Sequence, residues 1–297
     1  MQIFDAQRLL GNTTAASEPF LSPFIFSRSE ANNMDWGMKN RMSKIIQKDG
    51  KTVMLAVDHG YFMGPTTGLE NIKTMVDPLL RYADTLMLTR GALRNYVDPG
   101  INVPVVLRVS GGTSILNPNL LHEGIICDME DAVRLNVAGV AFSILVGAEY
   151  ERDTILAYSE IIDEATRYGI PTIAVTAVGK DMVRDARYMS LASRIASEIG
   201  ASIVKTYYVE GFERVVDTCP VPIVIAGGKK TPEKQALETA YNAIHAGAAG
   251  VDMGRNIFQS EDPRAMIQAV RAVVHKKYTP KEALQLFKEK ARPSKSK

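Results

Sequence analysis

A lysine stands inside an apolar, β-prone run, Ile203-Val204-Lys205-Thr206-Tyr207-Tyr208. Such a run reads as a buried strand of a parallel sheet. An ammonium there is costly unless it is paired or gives up its proton. A desolvated lysine amine is a nucleophile that condenses with a carbonyl to form a Schiff base. The bland alternative is a lysine whose stem packs along the strand while its head snorkels outward or meets a carboxylate.

Other polar residues fall at the ends of other apolar runs. Val53 to Val57 leads into Asp58-His59-Gly60. Val103 to Val109 carries Arg108 and leads into Ser110-Gly111-Gly112. Val221 to Ala226 leads into Gly227-Gly228-Lys229-Lys230, and Gly250 to Met253 into Gly254-Arg255-Asn256. Asp58 is able to pair with Lys205 or relay a proton, and His59 is either a general acid/base or a structural imidazole. Paired glycines let backbone N–H groups approach an anion, and Gly254-Arg255 adds a charge ahead of a helix. Gly227, Gly228, Gly254 and Arg255 are therefore the candidates for holding phosphate, with Lys229 and Arg108 as further possibilities. The alternative is a set of tight turns with solvated basic neighbours. Tyr207 shares the Lys205 side of its strand by the period of two; it faces the site or fills the interior, and filler is the preferred reading. Lys180, Arg184 and Arg187 follow another strand end. They either steer a polyanionic co-substrate or form a solvated helix start, the latter preferred. Cys127 precedes a helix and could be a nucleophile, but it reads more simply as a buried inert thiol. Cys219 lies before a strand, at the opposite edge.

These strand ends must be brought together by a repeating scaffold. Between Val53 and Val274, strand and helix patterns alternate about eight times, which predicts a (β/α)8 TIM barrel, an α/β fold whose chemistry sits at the C-terminal ends of its strands. Helices are expected over Ile72 to Leu80, from Thr89-Arg90-Gly91, over Asp128 to Val137, Tyr150 to Tyr168, Asp181 to Ile199, Phe212 to Asp217, Pro232 to Ala246 and Pro263 to Val274. A doubly wound open sheet is the alternative, yet no Gly-x-Gly-x-x-Gly follows the first strand. The division expected is an N-terminal arm and lead-in helix over 1–46, a barrel over 47–276 and a tail over 277–297. Trp36 to Ile46 has the helical spacing of the lead-in element. The arm carries Phe20, Leu21, Phe24, Ile25 and Phe26, suited to packing on the body or on another subunit. The lysine-rich end from Lys288 is expected to fray.

Composition narrows the function classes. A formal net charge of +2 gives no footprint for nucleic acid or a membrane surface. Two cysteines make neither a disulfide framework nor a metal-ligand spacing. No leader and no bilayer-length apolar run is present, so the cytoplasm is the default expectation.

The strand ends Val57-Asp58-His59-Gly60, Ile203-Val204-Lys205, Ile225-Ala226-Gly227-Gly228-Lys229 and Asp252 to Gln259 resemble the archaeal-type class I fructose-bisphosphate aldolase family of Schiff-base barrels. The resemblance covers about Trp36 to His275. Over Met54 to Glu70, Ala174 to Tyr188, Lys205 to Val209 and Pro220 to Gln259 it is most similar to thiolase members that process a phosphorylated form of the quorum signal autoinducer-2. It implies Lys205 as the Schiff-base residue and phosphate held by Gly227, Gly228, Gly254 and Arg255. It implies coenzyme A as co-substrate, no bound cofactor, no metal, and a homo-oligomer, often a decamer. The aldolases place a catalytic tyrosine near the end of the fourth strand, where this chain has Ser143-Ile144-Leu145-Val146. That departure favours acyl transfer from a phosphorylated dione to coenzyme A over ordinary aldol cleavage. An aldolase or transaldolase-type synthase acting on another phosphorylated sugar is the alternative within the family. A phosphosugar-binding regulator without turnover is the alternative outside it.

Overall fold

The structure is a computed structural model that describes residues 35–117, 122–176 and 183–291. The expected N-terminal arm and Lys180 lie outside the described residues. Eight parallel strands close into a barrel: β1 (Thr52–Ala56), β2 (Thr85–Thr89), β3 (Val105–Arg108), β4 (Gly139–Ile144), β5 (Thr172–Thr176), β6 (Ile203–Tyr207), β7 (Ile223–Ala226) and β8 (Gly250–Met253). Each strand pairs with its neighbours in the chain, and β8 closes onto β1, Thr52 opposite Gly250 and Leu55 opposite Met253. The barrel read from the sequence is thus the fold.

The period of two along each strand sorts its side chains between two cores. Val53, Leu55 and Val57 of the first strand face outward and pack under the helices. Met54, Ala56, Met87, Val106, Ala141, Ile173, Ile203 and Val224 face inward and form a separate cluster. Met42 and Ile45 join that inner cluster from the lead-in helix Trp36–Ile45, so the helix plugs the N-terminal end of the barrel. Asp35 caps it, accepting from the Met38 N–H at 2.7 Å. With the lower interior filled by apolar side chains, only the C-terminal end of the barrel is left open for chemistry.

A second device ties the barrel shut at its N-terminal edge. His275, on the last barrel helix Pro263–Lys276, has Nδ1 2.7 Å from Asp49 and Nε2 2.7 Å from Asp84. Asp84 also meets Arg271 at 2.6 Å and accepts from the Val53 N–H at 2.8 Å. The two aspartates hold the proton on His275, raising its pKa against the opposing effect of burial.

The structure departs from the expected elements in four places. The stretch Ile72 to Leu80 is not one helix but a five-residue α-helix, Ile72–Val76, followed by a 3-10 turn, Leu80–Tyr82. Pro78 between them has no N–H to continue a helix. The helix expected from Asp181 starts at Ala186, where Asp185 is the cap and accepts from the Tyr188 N–H at 2.8 Å. The region beyond 277 is more than a tail: Pro280–Lys290 is a helix with a Thr279/Glu282 capping box. It buries Ala283 and Phe287 against the helices Glu233–His245 and Pro263–Lys276. Its lysines sit on the outer face and mask the apolar i, i+4 pair. Finally, Ser110–Gly111 and Gly124–Ile125 form a short antiparallel pair beside the mouth of the barrel.

Candidate active site

The side chain of Lys205 projects from the middle of β6, with Val175 of β5 and Val224 of β7 as its register partners. It is 7% exposed. Its Nζ lies 2.9 Å from Oδ2 of Asp252, which comes from β8 and is fully buried. The approach is close but poorly directed, so neither Asp252 oxygen has a hydrogen bond of good geometry. Burial pushes the Asp252 carboxyl up, against the pull of Lys205. A carboxylate that is ready to take a proton beside an ammonium that must lose one is the arrangement that frees a nucleophilic amine. Asp252 was missed among the candidates, although an acid inside Gly250-Val251-Asp252-Met253, two residues from a glycine on the inward parity, carries the same kind of signal as Lys205.

Asp58 does not pair with Lys205. Arg108 on β3 donates to Asp58 Oδ2 from Nε, and its Nη2 is also 2.9 Å from that oxygen. Two nitrogens of the guanidinium converge on this one carboxylate oxygen, a charge-assisted contact that takes Asp58 away from Lys205. Although burial acts in the opposite direction, Arg108 and the nearby cations hold the Asp58 carboxyl down at about 2. Arg108 also donates from Nη1 to Ser143 Oγ at 2.8 Å. The Ser143 hydroxyl thus serves as an acceptor that positions Arg108.

Two further groups reach this network, and sequence spacing did not single them out. Tyr61 donates from its hydroxyl to Glu123 Oε1 at 2.6 Å, and Ser110 donates to Glu123 Oε2 at 2.6 Å. Glu123 stands immediately before the Gly124–Ile125 strand of the short antiparallel pair, and the Tyr61 ring lies near Arg108, 5.4 Å from its guanidinium carbon. Burial pushes the Tyr61 phenol up, so it stays protonated.

His59 also lines the cavity. Its Nδ1 is buried without a hydrogen-bond partner and lies 3.8 Å from Asp58 Oδ1. Burial lowers it to about 4, so the ring is neutral at neutral pH and resists taking up a proton.

The opposite wall is built from the ends of β7 and β8. Gly227, Gly228, Gly254 and Arg255 all line the same cavity, which is about 250 Å³ in volume and also bounded by Asp58, Arg108, Lys205 and Asp252. Gly228 has φ +69°, the left-handed region where a side chain is strained. Gly254 is needed for space: a Cβ there would lie 2.5 Å from the Ala56 carbonyl oxygen and 2.5 Å from His59 Cε1. Asn256, almost fully buried, donates to the Gly227 carbonyl at 2.6 Å and accepts from the Thr231 N–H at 2.8 Å. It staples the two loops into one cradle. The Arg255 Nε is buried without a partner, and among the described residues no carboxylate pairs with Arg255. A cation left open beside two glycine loops fits a phosphate dianion.

Two expectations change. Lys229 is exposed and is not part of the cavity, because the left-handed turn at Gly228 carries the chain outward. Tyr207 is not interior filler; it lines the cavity at its rim, and the Arg184 guanidinium carbon lies 4.3 Å from its ring centre. At that level the interior is cavity rather than core. Cys127 and Cys219 are both buried with thiols pushed up by burial, and neither lines the cavity. Among the described residues no group of His, Cys, Asp and Glu side chains is placed to hold a metal ion, and no helix is long and apolar enough to cross a membrane.

The pattern described as DeoC/LacD family aldolase matches residues 52–260, from the start of β1 to the loop after β8. The chain belongs to the DeoC/LacD aldolase family. It is an enzyme of that family by the same match and by its relatives. It is 58% identical over 265 residues to the 3-hydroxy-5-phosphonooxypentane-2,4-dione thiolase of Photorhabdus laumondii, covering 89% of this chain and 91% of the relative. It is 57% identical over 264 residues to the thiolase of that name from Yersinia pseudotuberculosis, covering 88% and 90%. Among solved structures it is similar to an archaeal fructose 1,6-bisphosphate aldolase, with 28% identity and TM-score 0.73 over 80% of this chain and 99% of that one. A further archaeal fructose-1,6-bisphosphate aldolase, at 27% identity and TM-score 0.71 over 80% and 99%, was solved with its catalytic lysine bound to a carbinolamine intermediate. The aldolase barrel is thus common ground between this chain and its structural neighbours.

Proposed function

We propose that this aldolase-family enzyme is a thiolase that moves an acetyl group from 3-hydroxy-5-phosphonooxypentane-2,4-dione to coenzyme A, releasing dihydroxyacetone phosphate. The observation that carries the reading is the Lys205–Asp252 pair, 2.9 Å apart on the floor of a cavity whose far wall holds the unpartnered Arg255 Nε. The thiolase name of relatives at 57–58% identity over nine-tenths of their length selects the acceptor.

In this mechanism the phosphate rests against Gly228, Gly254 and Arg255, and the adjacent ketone faces Lys205. Asp252 takes the ammonium proton, and the neutral amine adds to that ketone; loss of water leaves an iminium. The thiol of coenzyme A gives its proton to a base and attacks the distal acetyl carbonyl; His59, neutral in the cavity wall, packs beside the reacting atoms. The bond between that carbonyl and the hydroxyl-bearing carbon breaks, and its electron pair moves into the iminium to give an enamine. Protonation of the enamine carbon and return of the water release dihydroxyacetone phosphate and the free lysine. Asp58, held near 2 by Arg108, stays ionised and stabilises the positive charge on Lys205 rather than carrying protons.

The test is borohydride reduction in the presence of dihydroxyacetone phosphate, with peptide mass mapping, alongside an assay for acetyl-coenzyme A. A reduced adduct on Lys205 and thioester formation are expected. A folded Lys205→Ala protein that keeps near-full turnover would defeat the mechanism.

A further inference from the structure

Outside the barrel, a groove of about 560 Å³ runs between the helices Ala186–Ile199 and Phe212–Asp217. Three arginines line it, Arg187, Arg194 and Arg214, against one carboxylate, Asp185, which is occupied in capping the helix by accepting from the Tyr188 N–H. Arg194 is paired with Glu198. Among the described residues no carboxylate is paired with Arg187 or Arg214, and both are exposed. Two apolar side chains in the same lining, Val183 and Leu191, are 74% and 53% exposed. An open surface that combines unpaired guanidinium groups with bare aliphatic side chains suits a ligand with phosphates and an aromatic base.

The groove and the active-site rim are neighbours through Arg184. Arg184 lies in the chain between Val183 and Asp185, both of which line the groove. Its guanidinium rests on the ring of Tyr207, which lines the catalytic cavity. One residue therefore bridges the outer groove and the rim above Lys205. The catalytic cavity itself, about 250 Å³, is already furnished with a phosphate cradle.

We infer that this groove holds the 3′-phosphorylated adenosine diphosphate end of coenzyme A, with Arg187 and Arg214 on its phosphates, while the pantetheine arm passes Arg184 and Tyr207 to deliver the thiol to the cavity. The assignment rests on coenzyme A being the acceptor. It takes up Arg184 and Arg187, which sequence spacing offered as either steering groups or a solvated helix start.

The test uses Arg187→Glu and Arg214→Glu in the full-length chain, each checked for an unchanged melting temperature. Steady-state kinetics are run with coenzyme A and with pantetheine, which has the thiol but no nucleotide. The expected result is a KM for coenzyme A raised at least about tenfold, with kcat/KM for pantetheine and KM for the dione unchanged. Adenosine 3′,5′-bisphosphate should inhibit competitively against coenzyme A in the parent protein and lose that inhibition in the variants. An unchanged KM for coenzyme A, or equal losses with pantetheine, overturns the groove while leaving the thiolase reading intact. Absence of acetyl-coenzyme A formation by the parent protein, with a trapped adduct still found on Lys205, overturns the thiolase reading and the groove with it.

Discussion

Lys205 and Asp252 meet at 2.9 Å although they come from strands separated by β7, and neither carboxylate oxygen has a hydrogen bond of good geometry. Burial penalises charge on Asp252 while Lys205 favours it, and Asp252 is the carboxylate within reach of the Lys205 amine. Asp252→Asn keeps the shape and removes the proton acceptor. Turnover is expected to fall about 10²- to 10⁴-fold, the usual contribution of a positioned acid/base. Borohydride trapping on Lys205 should slow in parallel. Equal trapping rates in the variant and the parent would mean that another group receives the ammonium proton.

The phosphate cradle separates two kinds of basic residue. Arg255 faces the cavity with an open Nε, and Lys229 is exposed outside it. Arg255→Gln is expected to raise KM for the phosphorylated substrate about ten- to a hundredfold, the worth of a charge-assisted hydrogen bond of about 1.5–3 kcal/mol. Lys229→Gln should leave KM within about twofold, because an exposed charge acts weakly across solvent. Measuring both variants with phosphorylated and unphosphorylated substrates distinguishes a cradle from general electrostatic attraction.

Gly254 is a steric requirement rather than a conformational one. Its would-be Cβ meets the β1 backbone at the Ala56 carbonyl, which cannot swing aside as a side chain would, and it meets the His59 ring. Gly254→Ala is expected to cost about 1–3 kcal/mol of stability, as overpacking does, and to lower kcat by displacing His59. Denaturant titration and steady-state kinetics on one preparation read both effects. A stable variant with normal kcat would show that the β8 loop shifts freely.

The His275 clamp makes stability depend on pH. His275 binds its proton more tightly folded than unfolded, so its pKa is raised above the ordinary 6.5. The unfolded chain then binds fewer protons across that range, and stability falls as pH rises. The stabilisation is complete below about 6.5 and is lost as pH climbs through the folded-state value. His275→Gln is expected to lose about 1.5–3 kcal/mol at pH 6, mostly through buried Asp84, since Asp49 is nearer the surface and counts for less. The gap between variant and parent should shrink as pH rises through the folded-state value. Urea denaturation at a series of pH values measures it, and a gap independent of pH would rule out a charged His275.

The local pattern already determined much of this protein. Alternating strand and helix periods specified a barrel, because a run buried on both faces must be a parallel strand and short αβ connections leave few ways to arrange eight of them. The barrel in turn placed Lys205, Asp58, His59, Arg108 and Gly254 at one end. Single-residue chemistry was legible where a charge interrupted an apolar strand, as at Lys205. Pairings were not legible, because they depend on which inward side chains meet across the interior, and chain distance carries no record of that. Asp252 lies 47 positions after Lys205 and is its contact, whereas Asp58, a more conspicuous acid, is taken by the two-pronged guanidinium of Arg108. Glu123 and Tyr61 became visible only once a short antiparallel pair carried one beside the other. The helix Pro280–Lys290 was hidden by its own lysines until tertiary packing showed which face they occupy. Sequence determined the elements and their order through local periodicity; only the closed barrel decided the partners, because burial makes each inward charge find the nearest group able to satisfy it.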